Sequence, residues 1–387
     1  VAEVALTVVL LAGAGLFLKS FDRIMKVEPG FDPSNLISFS VALPLSGYES
    51  VDSLLAFYGP LEERLASLPG VTSATVSSGL PLGQNGWQTD LFVAGRGDIT
   101  DPKNWASTEF AIVSPSYFRT LGMKVLSGGV FSETDAPGTL PPEDARDLGP
   151  DTLVQARATK VVVDRAFADR FWPSQDPIGK HVHWSAEAKV APMVVVGVVG
   201  RVKADGLREE SGRIQAYVSG RQLAQGSAEV TLRTALPLSA VTPGILRVVR
   251  ELNPNLPIYG VRTMEQTRQE SLASERLSAW LVGLFGALAL VLAVIGIFGV
   301  MTYSVIQQTR EIGVRVAIGA STTRILGLVL GQGLRLALVG AGLGLILTLG
   351  LSRAMEGLLF EVSPNDPGAV AVSLLAVLVT AACAVLI

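Results

Sequence analysis

The sequence predicts an α-helical membrane protein with four transmembrane helices and a large α+β extracytoplasmic domain. Three observations carry that expectation. Apolar runs long enough to span a bilayer sit at the two ends of the chain, a long polar stretch between them alternates strand-like and helix-like pieces, and a short charged segment separates the second and third runs. Of 387 residues, 49% are hydrophobic and 17% charged, where an ordinary soluble domain carries about 25% charged residues. The deficit is local, which points to membrane segments.

A helix needs roughly 20 apolar residues to cross the hydrocarbon core, and residues 1–18, 277–303, 325–351 and 369–387 meet or approach that length. Both ends look cut, with Val1 in first place and an apolar run still in progress at Ile387, so the first and fourth spans are expected to be truncated parts of a longer chain. The 1–18 run lacks the basic flank and cleavage pattern of a signal peptide. Glu3 at its start suits a place near the membrane surface. Arg335, about three turns into the third span, is expected to snorkel or to face a helix partner. Gly327 and Gly331, and again Gly340 and Gly344, are four apart and would let neighbouring helices pack closely.

Residues 19–276 read as one soluble domain. Residues 36–43 alternate like a strand, 51–68 have helical spacing through Leu54, Leu55, Tyr58, Leu61 and Leu65, and 71–78 are strand-like again. The order returns as strand 229–234, helix 238–252 and strand 257–263. Two β-α-β units at opposite ends of one domain predict ferredoxin-like halves interrupted by a β-rich insertion at about 109–225. Residues 135–151, with four Pro and five acidic side chains, read as a surface loop.

The 304–324 loop carries Arg310, Arg315 and Arg324 against Glu311, whereas the 352–368 loop carries Arg353 against Glu356, Glu361 and Asp366. Short loops rich in Lys and Arg stay cytoplasmic. The first loop is therefore placed inside and the second outside, with the large domain outside as well. Lys19, Arg23 and Lys26 argue mildly the other way, but long domains translocate largely regardless of charge.

Signatures of catalysis are sparse. The nearest approach to a phosphate-binding loop, Pro177-Ile-Gly-Lys180, lacks both the first Gly and the Ser/Thr. His181 and His183 have no Cys or carboxylate at recognised ligand spacing. The single cysteine, Cys383, excludes an intramolecular disulfide. The net charge of −3 gives no electrostatic reason to expect nucleic acid. No catalytic, cofactor-binding or metal residues are assigned, and the chain is not expected to be an enzyme by itself. In the segment between the second and third spans, Ile312, Val316 and Ile318 give apolar faces and Arg310, Glu311 and Arg315 give charge. That pattern suits a short amphipathic helix on the inner membrane surface. It serves either as a topogenic anchor or as a plug for a cytoplasmic partner, with Gly313 and Gly319 permitting close approach.

The stretch Thr309-Arg-Glu-Ile-Gly-Val-Arg-Val-Ala-Ile-Gly-Ala320 resembles the cytoplasmic turn between the second and third membrane helices of MacB/FtsX-type ABC transporter permeases. Further stretches resemble that family's extracytoplasmic core domain: Glu28-Pro-Gly-Phe-Asp-Pro33, Leu68-Pro-Gly-Val71, the run from Val113 to Met123, the run from Phe171 to Lys180, and Val196-Gly-Val-Val-Gly-Arg-Val-Lys203. Their order and spacing span the chain. The resemblance implies that residues 307–320 form a coupling helix seated on a separate ABC ATP-binding subunit, which would bind the ATP. Gln307, Arg310, Glu311 and Arg315 would make polar contacts there, with Gly313, Gly319 and Ala320 at close-packed positions. It also implies a bacterial inner-membrane location, pairing with a second permease half or a homodimer, an extracytoplasmic partner, and surrounding lipid. The opening Val1-Ala-Glu-Val-Ala-Leu6 and the Trp-Pro…Gly-Lys run look most like the C-terminal half of a long duplicated permease. Three functions follow as expectations: a permease for export or mechanotransmission, a signalling permease controlling an external enzyme, and a membrane-anchored receptor or adhesion domain.

Overall fold

The computed structural model describes the chain apart from residues 84–86, 140–148, 188, 204–212, 319–321, 356–361, 364–365 and 387, and apart from some side chains in the C-terminal helices. The chain forms two compact units. One comprises Val1–Val27 with Ala273–Ile387, and the other is Glu28–Leu272. It opens with helix α1 (Ala2–Met25) of the first unit.

The second unit begins with β1 (Leu36–Ala42), α2 (Val51–Ala66) and β2 (Val71–Ser77). Helix α2 starts at Ser50, whose hydroxyl accepts from Ser53 N at 3.1 Å while Ser53 Oγ accepts from Ser50 N at 3.2 Å. This reciprocal cap satisfies two amides that no turn of helix can. Leu54, Leu61 and Leu65, spaced three to four apart, are the face it buries.

There follow β3 (Trp87–Val93), β4 (Trp105–Val113), α3 (Tyr117–Leu121), β5 (Val125–Gly128), α4 (Pro150–Gln155), β6 (Lys160–Asp164), α5 (Arg165–Phe171), β7 (His181–His183), β8 (Met193–Val199) and β9 (Gln215–Ser219). Six of these pair in the order β4-β3-β7-β8-β6-β9. The parallel pairing of Glu109–Val113 with Gln215–Ser219 then returns from β9 to β4 and closes the ring. Closure removes edges that would otherwise present unpaired amides. Val161, Val163, Phe167, Val195, Ala216 and Val218 belong to the core of this lobe.

The chain then forms β10 (Ser227–Thr234), α6 (Leu238–Leu252), β11 (Ile258–Thr263) and α7 (Met264–Ser271). The two β-α-β units interleave in one antiparallel sheet, β11-β1-β10-β2. Phe39, Leu61, Val230 and Ile245 lie in a second core. The interruption is wider than the 109–225 read from sequence, because β3 and all of β4 belong to the closed ring. Trp87–Val93 buries only its last three residues fully, so it shows no period-two alternation to read. Between the two lobes the described strand pairing is one residue pair, Ser77 with Val113.

Four stretches far apart in sequence converge here. Gly30 has φ +86°, and a Cβ on it would lie 2.9 Å from Val202 Cα, so only glycine fits. Lys203 N donates to Pro29 O at 3.0 Å, and Asp32 N donates to Leu121 O at 2.9 Å. The Arg233 guanidinium joins Asp32 Oδ2 (2.9 Å) to Thr120 O (2.8 Å).

The first unit is completed by α8 (Ala273–Ala317), α9 (Thr322–Met355) and α10 (Pro367–Leu386). Three helical stretches are long and apolar enough to cross a membrane, namely Ala2–Met25, Ala273–Glu311 and Gly333–Leu351, and α10 has an apolar stretch described over Ala371–Thr380. The protein is a membrane protein. Helix α1 packs against α8, α9 and α10. A Cβ on Gly340 would stand 2.6 Å from Val4 Cβ, and one on Gly344 would stand 2.7 Å from Val8 Cβ. Those two glycines therefore form the groove that seats α1. Gly327 and Gly331 have the same spacing, yet a Cβ on either would meet nothing within 4 Å, so they seat no helix among the described residues.

These contacts fix the helix directions. Gly286 lies at Ala14 and Gly296 at Glu3, so α8 runs antiparallel to α1, while the Gly340 and Gly344 contacts make α9 parallel to it. Lys19 Nζ meets Asp366 Oδ2 at 2.5 Å, so the chain before α10 stands at the end of the bundle where α1 finishes. The α8–α9 connection stands at the opposite end. Glu3 packs onto α8 rather than standing beyond it. It lies beside Gly296, seven residues short of Tyr303, or about 10 Å along the helix, because α8 continues well past the start of α1.

Helix α8 corrects a second expectation. Residues 304–317 are not a loop with a separate surface helix but an unbroken continuation of the span. No proline interrupts 273–317, and Gly313 alone costs only about 1 kcal/mol. At 1.5 Å per residue, 45 residues extend roughly 68 Å, more than twice the ~30 Å hydrocarbon core.

Replacing Gly344 by Leu should lower the thermal stability of the detergent-solubilised chain by the equivalent of about 1–3 kcal/mol, since the groove cannot absorb the added volume. Gly327→Leu should leave stability unchanged or slightly raised through helix propensity. Equal effects in a melting comparison would remove the distinction between the two glycine pairs.

Candidate coupling site

Two exposed aromatic residues on α8 stand about as far apart as the two interfaces of a bilayer. Trp280 is 74% and Tyr303 63% exposed, and the 23 residues between them correspond to about 35 Å of helix, close to the spacing of the two aromatic belts of a membrane. Past Tyr303 the helix becomes polar. Gln307 Nε2 donates to the Tyr303 hydroxyl at 2.7 Å. The Thr309 hydroxyl donates to Val305 O (3.0 Å) and Ile306 O (2.8 Å), so it is satisfied within its own turn.

Gln307, Arg310 and Glu311 are all exposed on this tip. Ile306, Val314 and Ile318 are exposed as well, and Ile318 N still bonds Val314 O at 3.1 Å. Ile306, Arg310, Val314 and Ile318 are spaced by four and share one face, which combines an apolar stripe with a guanidinium. Gly313 and Arg315 lie on the helix, their side chains outside the description, and Gly319 and Ala320 lie outside the described residues. Such a face suits docking to protein and offers no nucleophile or acid–base pair.

The second unit carries buried acids that sequence reading did not single out. Glu62 Oε1 accepts from Ser114 (2.8 Å) and Ser116 (2.5 Å), and Arg221 stands 3.9 Å from Oε2. Burial pushes its carboxyl above the usual range, partly offset by the serines and Arg221. Asp164 is fully buried. Its Oδ1 accepts from Phe167 N (2.8 Å) and Gln215 N (3.1 Å), and its Oδ2 has no hydrogen-bond partner among the described residues. Burial drives its pKa up from 3.8 to about 6 against those bonds and Arg201. Ser114, Ser116, Asp32 and Gly30 all sit in stretches quoted for the family resemblance, so the signal was present without its role. His181 and His183 lie on β7, and among the described residues no group of three or more His, Cys, Asp or Glu gathers as for a metal.

Residues 283–387 match the family model described as FtsX-like permease C-terminal. The chain thus carries an FtsX-like permease C-terminal region and is similar in sequence to MacB proteins. Among its relatives are a macrolide export ATP-binding/permease protein MacB 2 from Aeromonas hydrophila and a MacB from Agrobacterium fabrum. The first is 26% identical over 271 residues (67% of this chain, 38% of the relative), the second 27% identical over 248 (62% and 35%). The chain thus spans less than two fifths of the length of these curated relatives. Among solved structures, the periplasmic region of MacB from Actinobacillus actinomycetemcomitans aligns with a TM-score of 0.38 at 15% identity, covering 64% of this chain and 97% of that one.

For Asp164 the sign is set by its raised folded-state pKa. Below pH 4 both folded and unfolded states hold the proton and no penalty exists; as pH rises from about 4 to 6 only the unfolded state releases it, and stability falls. The gap from 3.8 to about 6 corresponds to on the order of 3 kcal/mol. Asp164→Asn should therefore gain on the wild type as pH rises from 4 to 7 in parallel melts, and a pH-independent difference would contradict the assignment.

Proposed function

We propose that this chain is the permease subunit of an ABC transporter and that residues 307–320 are its coupling helix, docking on a separate ATP-binding subunit. The observation that carries the reading is the exposed tip of α8, which stands at the bundle end opposite Lys19 and Asp366. The chain passes to and from its other unit at Val27 and Ala273, so parity assigns that unit and the charged tip to opposite sides of the bilayer. With the arginine-rich tip inside, residues 28–272 lie outside the cytoplasm of a bacterial inner membrane.

The relatives' names join ATP-binding and permease functions, and no phosphate-binding loop occurs in this sequence. ATP hydrolysis is accordingly assigned to the partner, and this chain is given no catalysis and no cofactor of its own. Arg310, Glu311 and Arg315 supply polar contacts, and the Ile306–Val314–Ile318 face supplies apolar area. A second permease half or a second copy completes the complex. Because α8 is one unbroken helix, displacement of its tip is carried into the bundle without an intervening hinge. Export follows if the outer unit handles cargo; control of an external enzyme follows if it does not.

Co-purification with the cell's ATP-binding subunits tests the docking. The wild-type chain should retain an ATPase, and the Arg310/Glu311/Arg315 triple-alanine form should lose it while still inserting in the membrane; equal recovery would sink the coupling assignment. For sidedness, Leu45→Cys should react with an impermeant maleimide in spheroplasts, and Ile318→Cys only after permeabilisation. The reverse order would overturn the topology.

A further inference from the structure

The docking tip accounts for none of the aromatic residues clustered in the second unit. Trp87 stands edge-on to Phe110 with ring centroids 5.2 Å apart and to Trp184 at 5.7 Å. Tyr117 and Tyr217 approach at 6.1 Å. Trp87, Phe110, Tyr117 and Tyr217, together with Leu80 and Val202, line a small cavity of about 50 Å³ beside β4 and β9. That is room for a few waters or for the tip of one ligand group.

Glu109 is the one charged side chain among the described residues lining it. Its Oε1 accepts from Gln88 Nε2 and from Arg213 Nη1, each at 2.7 Å. Neither of those donors lines the cavity. Its Oε2 accepts from no described residue, and Glu109 is only 6% exposed. Tyr117 is 3% exposed, and burial pushes its hydroxyl above the usual phenol range. The remaining polar side chain of note is committed: Gln215 Oε1 accepts from the Tyr217 hydroxyl at 3.0 Å, and its Nε2 donates to Val202 O at 2.6 Å.

Neither Glu109 Oε2 nor the Tyr117 hydroxyl is among the fully buried side-chain atoms left without a partner; both residues line the cavity, where a ligand can bond them. Aromatic faces attract cations through their quadrupoles, more strongly when the site is dry. An anion would face the Glu109 carboxylate at close range, and a purely apolar group would bond neither Glu109 Oε2 nor the Tyr117 hydroxyl.

We propose that this cavity is a binding site for the head of an alkylammonium group, with Glu109 accepting its proton donors and Trp87, Phe110 and Tyr217 forming the aromatic wall. The amine is carried either by a small amphiphile or by a lysine side chain of a polypeptide. The cavity's volume admits the head and leaves the rest of the ligand outside. Trp87, 38% exposed, stands at the mouth. The inference does not rest on the coupling assignment.

The test is titration of the full chain in nanodiscs with n-butylammonium and with its neutral counterpart n-butanol, followed by saturation-transfer NMR and tryptophan fluorescence. Butylammonium should bind saturably and butanol should not. Glu109→Gln should weaken the amine at least tenfold, and Trp87→Ala should weaken it severalfold while leaving the melting temperature near that of wild type. Tyr117→Phe removes only the hydroxyl, so it keeps the test valid should the Glu109 variant fold poorly; it should also weaken binding. Equal affinity for butanol, unchanged affinity in both Glu109→Gln and Tyr117→Phe, or water alone in the cavity with no saturable signal would each overturn the proposal. If an acetyl-Gly-Lys-Gly-amide peptide binds more tightly than butylammonium, the source is polypeptide; if octylammonium does, it is an amphiphile. Loss of ATPase docking by the α8 tip variants would leave these titrations unchanged, so the two readings fail separately.

Discussion

The close seating of α1 in the groove of α9 organises the membrane unit. Helices in lipid gain no hydrophobic free energy from meeting one another, so association rests on van der Waals packing and on how near two backbones can come. Gly340 and Gly344 remove the side chains that would hold α1 away, and Val4 and Val8 fill the space. With α1 placed at the centre, Ile297 and Met301 of α8, Ala337 and Ala341 of α9 and Val377 of α10 complete one small core. The helix directions follow from that arrangement, and with them the placement of the α8 tip away from Lys19 and Asp366. Outward-facing Leu281, Phe285, Leu288, Leu292 and Ile295 stay exposed, as suits side chains whose solvent is lipid.

The second unit solves a different problem, since water competes for every backbone group it leaves unpaired. Its first lobe covers an antiparallel sheet with α2 and α6, and its second closes a strand ring on itself. Where the lobes meet, main-chain pairing shrinks to Ser77 and Val113, and hydroxyl groups take over. Thr75 and Ser114 lie 2.7 Å apart, Ser116 reaches Ala74 O at 2.6 Å, and both serines serve Glu62. A buried carboxylate with several donors is tolerable where an isolated one is not. Deleting either serine leaves an acceptor stranded, which costs more than the bond itself contributes.

Much of this was legible in advance because periodicity reports burial directly. Residues 51–68 and 238–252 repeat at helical spacing and their flanking strands alternate, so both β-α-β units could be placed to within a few residues. The ring closure was not legible, since the parallel pairing of β4 with β9 joins residues more than a hundred positions apart and leaves no local mark. Strand β5 was missed for the opposite reason, because all four of its residues are exposed and it has no buried face to set a pattern. The glycine pairs show a subtler limit. Gly327/Gly331 and Gly340/Gly344 are identical as spacings, and spacing states only that a helix can be approached. Which pair is used depends on where α1 lies. At the tip of α8, charge was visible but continuity was not, since a run of polar residues after a span reads equally well as loop or helix.

That continuity bears on mechanism. A separate surface helix joined by a flexible turn would absorb part of any push from a docked partner in the turn's own dihedral angles. An unbroken helix has no such soft element, because displacing its tip without displacing its shaft requires breaking hydrogen bonds or bending the axis. Kinks in helices arise at proline, at glycine–serine pairs or at bulges, and between Tyr303 and Ala317 only Gly313 weakens the ladder. The same helix is gripped inside the bundle by α1, where Thr7 Oγ reaches Ala289 O at 3.1 Å and Glu3 lies on Gly296. If the proposed docking holds, a push at Arg310 and Glu311 would be delivered to the centre of the bundle rather than spent at its edge.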